Sequence, residues 1–111
     1  PEPRGVGHGP ELMDRDILSA EAIASLATRL PNWDFDGISL FRVLDFADFA
    51  EAFAFMVRVA DIAEELDHHP DWSNSWNRVT IAVTSHSAGG LTGRDVGFAE
   101  RVDRLADDQP G

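Results

Sequence analysis

Three of the four histidines and two carboxylates fall within about thirty residues: Glu64, the tripeptide His68-His69-Pro70, His86 and Asp95, with Trp76 among them. Imidazole is the side chain whose unperturbed pKa, about 6.5, lets it give and take a proton at neutral pH, so this clustering points to general acid–base chemistry. Glu64 and His68 are four residues apart, a spacing that places them on one helix face where the carboxylate can orient the imidazole. Pro70 disfavours helical backbone at His69 and turns the chain, so the adjacent imidazoles diverge and can address different atoms of one ligand. Taken singly, each position also has an ordinary structural explanation: a helix-surface pair, a helix stop, a surface histidine, an acidic residue in a first helical turn. Three histidines and a carboxylate would equally suit zinc or iron. Against that, no two of the three stand four apart on one helix face.

The elements that must hold these residues can be read from periodicity. Ser19 is a suitable N-cap for a helix over about 19–30, in which Ile23, Leu26, Ala27 and Leu30 recur at helical spacing before Pro31 stops the pattern. Asn32 to Phe46 turns aromatic and β-branched around Asp36-Gly37, which predicts two antiparallel strands joined by a hairpin turn. Asp48 can cap a long helix with two apolar stripes, one through Phe49, Phe53, Met56, Ala60, Ala63 and Asp67 and one through Phe55, Val59, Ile62 and Leu66. Phe49, Phe53, Met56 and Ala60 can pack on the chain's own sheet, but which stripe takes the sheet and which a partner is left open by the sequence. So wide an apolar surface implies burial on two sides, the second by a partner copy. Arg78 to Ser85 alternates, with Val79, Ile81 and Val83 on one face, and predicts a half-buried strand that ends at His86 on its polar face. Thr92-Gly93-Arg94-Asp95 has the form of a capping box, leading into a helix to about Leu105 through Val96, Ala99 and Val102. The order describes an α+β domain with an antiparallel sheet and helices on one face.

The pattern Glu64-x3-His68-His69-Pro70-x5-Trp76-x9-His86-x8-Asp95 resembles the signature of the pterin-4a-carbinolamine dehydratases. The flanks agree: Phe55-Met56-Val57-Arg58-Val59-Ala60, then Glu65-Leu66-Asp67, with Trp33 upstream and Thr92-x-Arg94-Asp95 downstream, over about residues 12–106. Trp76 fills a position that is often tyrosine. The resemblance implies an α-β-β-α-β-β-α chain with a four-stranded sheet, one additional short strand lying near Leu91. It also implies dehydration of 4a-hydroxytetrahydropterin to the quinonoid dihydropterin, which recycles the cofactor spent by aromatic amino acid hydroxylases. On that basis His68, His69 and His86 are the catalytic candidates, unranked by the sequence, with His68 and His86 assigned to proton transfer and His69 mainly to holding the pterin, while Glu64 and Asp95 orient imidazoles or substrate. Trp33, Trp72 and the segment carrying Ser85, Ser87 and Ala88 line the pocket, with Pro70 and Arg94 completing the substrate contacts. No metal is implied, nor any cofactor beyond the pterin substrate. Members of such a family assemble as homodimers or homotetramers, and some serve as protein-interaction modules, as a dimerisation cofactor or an assembly factor; that is the alternative role.

Composition bounds the rest. A length of 111 residues with 43% hydrophobic content supports one core and therefore one domain. The formal charge of −11, from 20 acidic and 9 basic residues, would repel phosphate backbones and anionic bilayers, so neither nucleic acid nor membrane is an expected direct partner. No apolar run approaches the roughly eighteen residues a membrane helix needs and no signal-peptide order appears, so the expected location is cytoplasmic. Without cysteine there is no disulfide and no thiolate chemistry. Residues 1–11, rich in proline and glycine, read as a disordered segment, and 107–111 as a flexible tail.

Overall fold

The computed structural model describes residues 16–108. The disordered segment expected over 1–11 lies outside them, as do the last three residues of the expected tail. Helix α1, Ala20–Arg29, starts at Ser19, whose hydroxyl accepts the Ala22 N–H at 3.1 Å. It ends where Leu30, preceding Pro31, leaves helical geometry. Strands β1 (Asp34–Phe35) and β2 (Leu40–Asp45) pair antiparallel around the expected turn. There the Asp36 carboxylate accepts the N–H groups of Ile38 and Ser39 at 2.9 and 2.7 Å, and Gly37 takes a φ of 100°.

Helix α2, Phe49–Leu66, is capped by Asp48, which accepts the Glu51 N–H at 2.9 Å. The structure decides which of its two stripes faces the sheet. Ala52, Phe55, Val59, Ile62 and Ala63 face the core, while Phe49, Phe53 and Val57 stay about half exposed to solvent. Both stripes are apolar; the small Ala52 and Ala63 beside Phe55 and Val59 let that face approach the sheet closely, which the pair Phe49 and Phe53 would not.

The chain then forms β3 (Asp71–Ser75) and β4 (Arg78–Val83), giving the sheet order β1-β2-β4-β3 with every neighbour antiparallel. The fourth strand is therefore β3, upstream of β4 and not near Leu91, around which the described residues form the isolated bridges Ile17 with Thr92 and Ser85 with Gly90. Asp71-Trp72-Ser73-Asn74-Ser75 lacks the β-branched residues that advertise a strand. It pairs because a two-residue turn, Trp76-Asn77, folds it onto β4, and the Asn74 amide holds that turn by donating to the carbonyls of Trp76 and Arg78 at 3.0 and 2.9 Å. Strand β4 buries Val79, Ile81 and Val83 as its alternation predicts.

A 3-10 turn, His86–Ala88, leads to helix α3, Gly93–Asp107, which runs two residues past the expected end. Phe98, Ala99 and Val102 of α3 join Phe55 and Val59 of α2 over the buried residues of β2 and β4, so both long helices cover one sheet face. Among the described residues no helix is long and apolar enough to cross a membrane.

Candidate active site

Helix α2 ends at Asp67, which adopts the left-handed conformation (φ 51°, ψ 46°) that aspartate tolerates better than most residues. That single residue reverses the chain and sends the next two side chains in different directions. His68 turns inward and is nine-tenths buried, with its backbone N–H on the Ala63 carbonyl at 3.0 Å. Its Nε2 lies 2.6 Å from Asp95 Oδ1. His69 stays in solvent and meets Glu64 Oε2 through its Nε2 at 2.7 Å. Glu64 thus partners His69, not the His68 that helical spacing suggests, because the chain has left the helix before His68.

Asp95 is fully buried at the third position of α3. The expected capping box is present: Oδ2 accepts the Thr92 backbone N–H at 2.8 Å, and the Thr92 hydroxyl accepts the Arg94 N–H at 3.1 Å. The same Oδ2 accepts the Ser85 hydroxyl at 2.8 Å, and Ser85 and Thr92 share a 2.9 Å hydrogen bond. Asp95 already accepts from two donors, Ser85 and Thr92, and an ionised carboxylate only accepts, so the assigned tautomer of His68 puts the Nε2 proton toward Asp95 and leaves Nδ1 for other work. The ring also meets Phe98 edge-on at 6.4 Å between centroids.

His86 opens the 3-10 turn beyond β4, largely exposed, with its Nε2 3.7 Å from Asp71 Oδ2. Register explains the meeting. Asp71 pairs with Ala82, so the start of β3 lies beside the end of β4, where Ser85 and His86 follow. Each of the three imidazoles consequently faces its own carboxylate: Asp95, Glu64 and Asp71. Asp71 escaped the sequence reading; its only signal is that it directly follows His-His-Pro. Among the described residues no three histidine, aspartate or glutamate side chains converge as a metal centre would require.

The remaining expected contacts divide by location. Pro70 is half-buried between His69 and Asp71, and Ser87 and Ala88 lie in the turn that begins with His86. Arg94 reaches back to donate from Nη2 to the Asp67 carbonyl at 2.6 Å, tying the start of α3 to the reversal that sets the histidines. Trp72 is half-buried next to Asp71 and packs on the core. Trp33 lies apart from the histidines. It is buried with its Nε1 donating to Asp103 Oδ1 at 2.7 Å, about 12 Å along α3 from Asp95 at 1.5 Å per residue. Trp76 sits exposed at the hairpin tip with φ 52°, about 16 Å along β3 from Asp71 at 3.3 Å per residue. On its other side, His68 borders a groove of about 390 Å³ along the outer face of α3.

Comparison with known proteins agrees with this architecture. A family profile described as pterin 4 alpha carbinolamine dehydratase matches residues 16–105. A protein of Rhizorhabdus wittichii, provisionally named pterin-4-alpha-carbinolamine dehydratase, is 50% identical over 97 residues, covering 86% of this chain and all of the relative. One of Mesorhizobium japonicum with the same provisional name is 45% identical over 92 residues, 81% of this chain and 94% of that one. Among solved structures, a transcriptional coactivator/pterin dehydratase from Brucella melitensis superposes with a TM-score of 0.77 at 35% identity, over 82% of this chain and 99% of that one. A pterin dehydratase-like RuBisCO assembly factor of the alpha-carboxysome superposes at 0.57 with 27% identity, over 69% and 89%.

Proposed function

This chain belongs to the pterin 4 alpha carbinolamine dehydratase family, and from that membership we propose that it dehydrates 4a-hydroxytetrahydropterin to the quinonoid dihydropterin. The observation that carries the reading is the set of three imidazoles, each backed by its own carboxylate, at one end of the sheet. The reaction breaks the C4a–O bond. The hydroxyl leaves as water after gaining a proton, and the ring nitrogen's N–H pair forms the new carbon–nitrogen double bond as its proton passes to a base. One acid and one base on different sides of the carbon suffice, and no electron is gained or lost, so the chemistry needs no cofactor beyond the pterin.

His68 and His86 are the proton-transfer pair in this reading. His68 works through Nδ1, because Asp95 fixes the other nitrogen, and a fixed tautomer presents a lone pair or a proton at one defined atom. His86, loosely faced by Asp71, is free to adjust to the substrate. His69, oriented by Glu64 in solvent, grips the pterin. Ser85, Thr92 and Arg94 act through Asp95 and Asp67, holding the first imidazole. Decay of the 4a-hydroxy intermediate, followed by ultraviolet absorbance with and without the chain, tests the proposal. Accelerated decay that survives chelator treatment is expected. Decay at the solvent rate overturns it, and activity abolished by chelation and restored by zinc overturns the metal-free mechanism.

A protein-interaction role is the second reading, favoured by the half-exposed Phe49, Phe53 and Val57 of α2 and by the two solved neighbours, one a coactivator/pterin dehydratase and the other an assembly factor. Full dehydratase activity in a variant with that stripe made polar would separate the two roles.

A further inference from the structure

The groove that His68 borders on the α3 side is lined by Leu66, Gly97, Arg94, Arg101 and Arg104, and by one acid, Glu100. We propose that it receives an anionic substituent, a carboxylate or a phosphate, carried by the same pterin whose ring the histidines engage; the inference rests on the dehydratase reading. Three of the chain's 9 basic residues converge here although the formal charge is −11, so this is where an anion escapes the repulsion of the remaining surface. The acids beside them are engaged. Glu65 bonds Arg101 at 3.0 Å, and Glu100 bonds Arg29 of α1 at 2.8 Å. The Arg101 guanidinium holds the Glu65 carboxyl below its usual range, and Arg104 forms no ion pair among the described residues. Arg94, Arg101 and Arg104 recur at seven and three residues, which sets them along one side of α3 with Gly97 between the first two. A glycine inside a helix is unfavourable, and here no packing explains it: a Cβ on Gly97 would meet nothing within 4 Å. Its missing side chain leaves the groove open. His68 borders the groove, so a substituent lying there belongs to a ligand already beside that imidazole.

The test uses fully oxidised pterins, which cannot be dehydrated, carrying a neutral dihydroxypropyl side chain, its phosphate monoester, or an aminobenzoyl-glutamate, titrated by fluorescence. An acidic form should bind about tenfold tighter than the neutral one, as one charge-assisted hydrogen bond would provide, with the difference shrinking as salt rises. Whether phosphate or carboxylate gains more identifies the substituent. Arg101→Gln with Arg104→Gln should bring the affinity ratio towards one. Gly97→Leu should do the same by filling the groove while keeping or raising the thermal midpoint, since leucine is the better helix former. A ratio near one in the unaltered chain, or a preference that survives both variants, overturns the proposal. Rate measurements on the corresponding carbinolamines separate it from the reading beneath it: a binding preference without any catalysed dehydration removes the dehydratase assignment alone, and catalysis without a preference removes the anion site alone.

Discussion

Asp95 does two jobs with one carboxylate: it completes the first turn of α3 and it faces His68 in the protein interior. The geometry links them, since Oδ2 is fully engaged by Ser85 and Thr92 and leaves Oδ1 in one place to receive the imidazole. His68→Ala should lower the catalysed dehydration rate by about 10²–10⁴-fold, the usual weight of one general acid or base. Asp95→Asn should approach the same loss with the fold retained, because an amide no longer dictates which imidazole nitrogen carries the proton; an unchanged kcat would remove the orienting role. Ser85→Ala should cost less, as Thr92 still donates to the same oxygen. Imidazoles acting in both directions also predict a bell-shaped dependence of rate on pH. A flat profile from about pH 5 to 9 would assign the acceleration to binding alone.

At the scale of elements, the site depends on how α2 stops and how α3 starts. Thr92→Ala removes a buried cap and its bond to Ser85, and should cost about 0.5–2 kcal/mol in denaturant unfolding with an unchanged m value. The orientation of α2 makes a sharper contrast. Phe55 is fully buried and Phe53 is half-exposed, so truncation of the first to alanine should cost about 3–5 kcal/mol while the second changes the isolated subunit by less than about 0.5 kcal/mol. Equal losses, or a larger loss at Phe53, would contradict this orientation of α2.

For the molecule as a whole, Phe49 and Phe53 stack at 5.8 Å between centroids on the open side of α2, with Val57 one turn on. A single chain leaves that patch in water, which predicts self-association through it. Sedimentation equilibrium at micromolar concentration should give a multiple of the 12.2 kDa chain, and Phe53→Glu should lower it without unfolding the subunit; a mass of one chain refutes the expectation. Acid sensitivity is also a property of the whole surface. Asp45 is held below its ordinary 3.8 by the hydrogen bond from Arg78, Asp36 likewise by the Ser39 and Ile38 N–H groups, and Glu65 below its ordinary 4.5 by Arg101. A depressed folded-state pKa stabilises the fold above the unfolded value and is lost as pH falls through the folded one. Thermal midpoints should therefore be level towards neutrality and fall below about pH 4.5, and the Asp45→Asn and Glu65→Gln variants should show a shallower fall.

Much of this was legible in the residues themselves. Ser19, Asp48 and Thr92 announce helix starts, Asp36-Gly37 a turn and the Val79-Ile81-Val83 alternation a buried strand, because capping, turn formation and pleating are local and depend on residue type at fixed offsets. The register of the histidines and acids was enough to name the family. Only the tertiary structure decided the rest. β3 carries no strand-forming composition and exists through its pairing with β4, and the choice between two apolar stripes of α2 was settled by which one fits the sheet. The carboxylate partners were fixed last and non-locally: one left-handed residue, Asp67, took His68 from Glu64 and gave it to Asp95, 27 positions away, and strand register brought Asp71 to His86. Spacing along a chain predicts neighbours only while the helix continues, and this site begins where the helix ends.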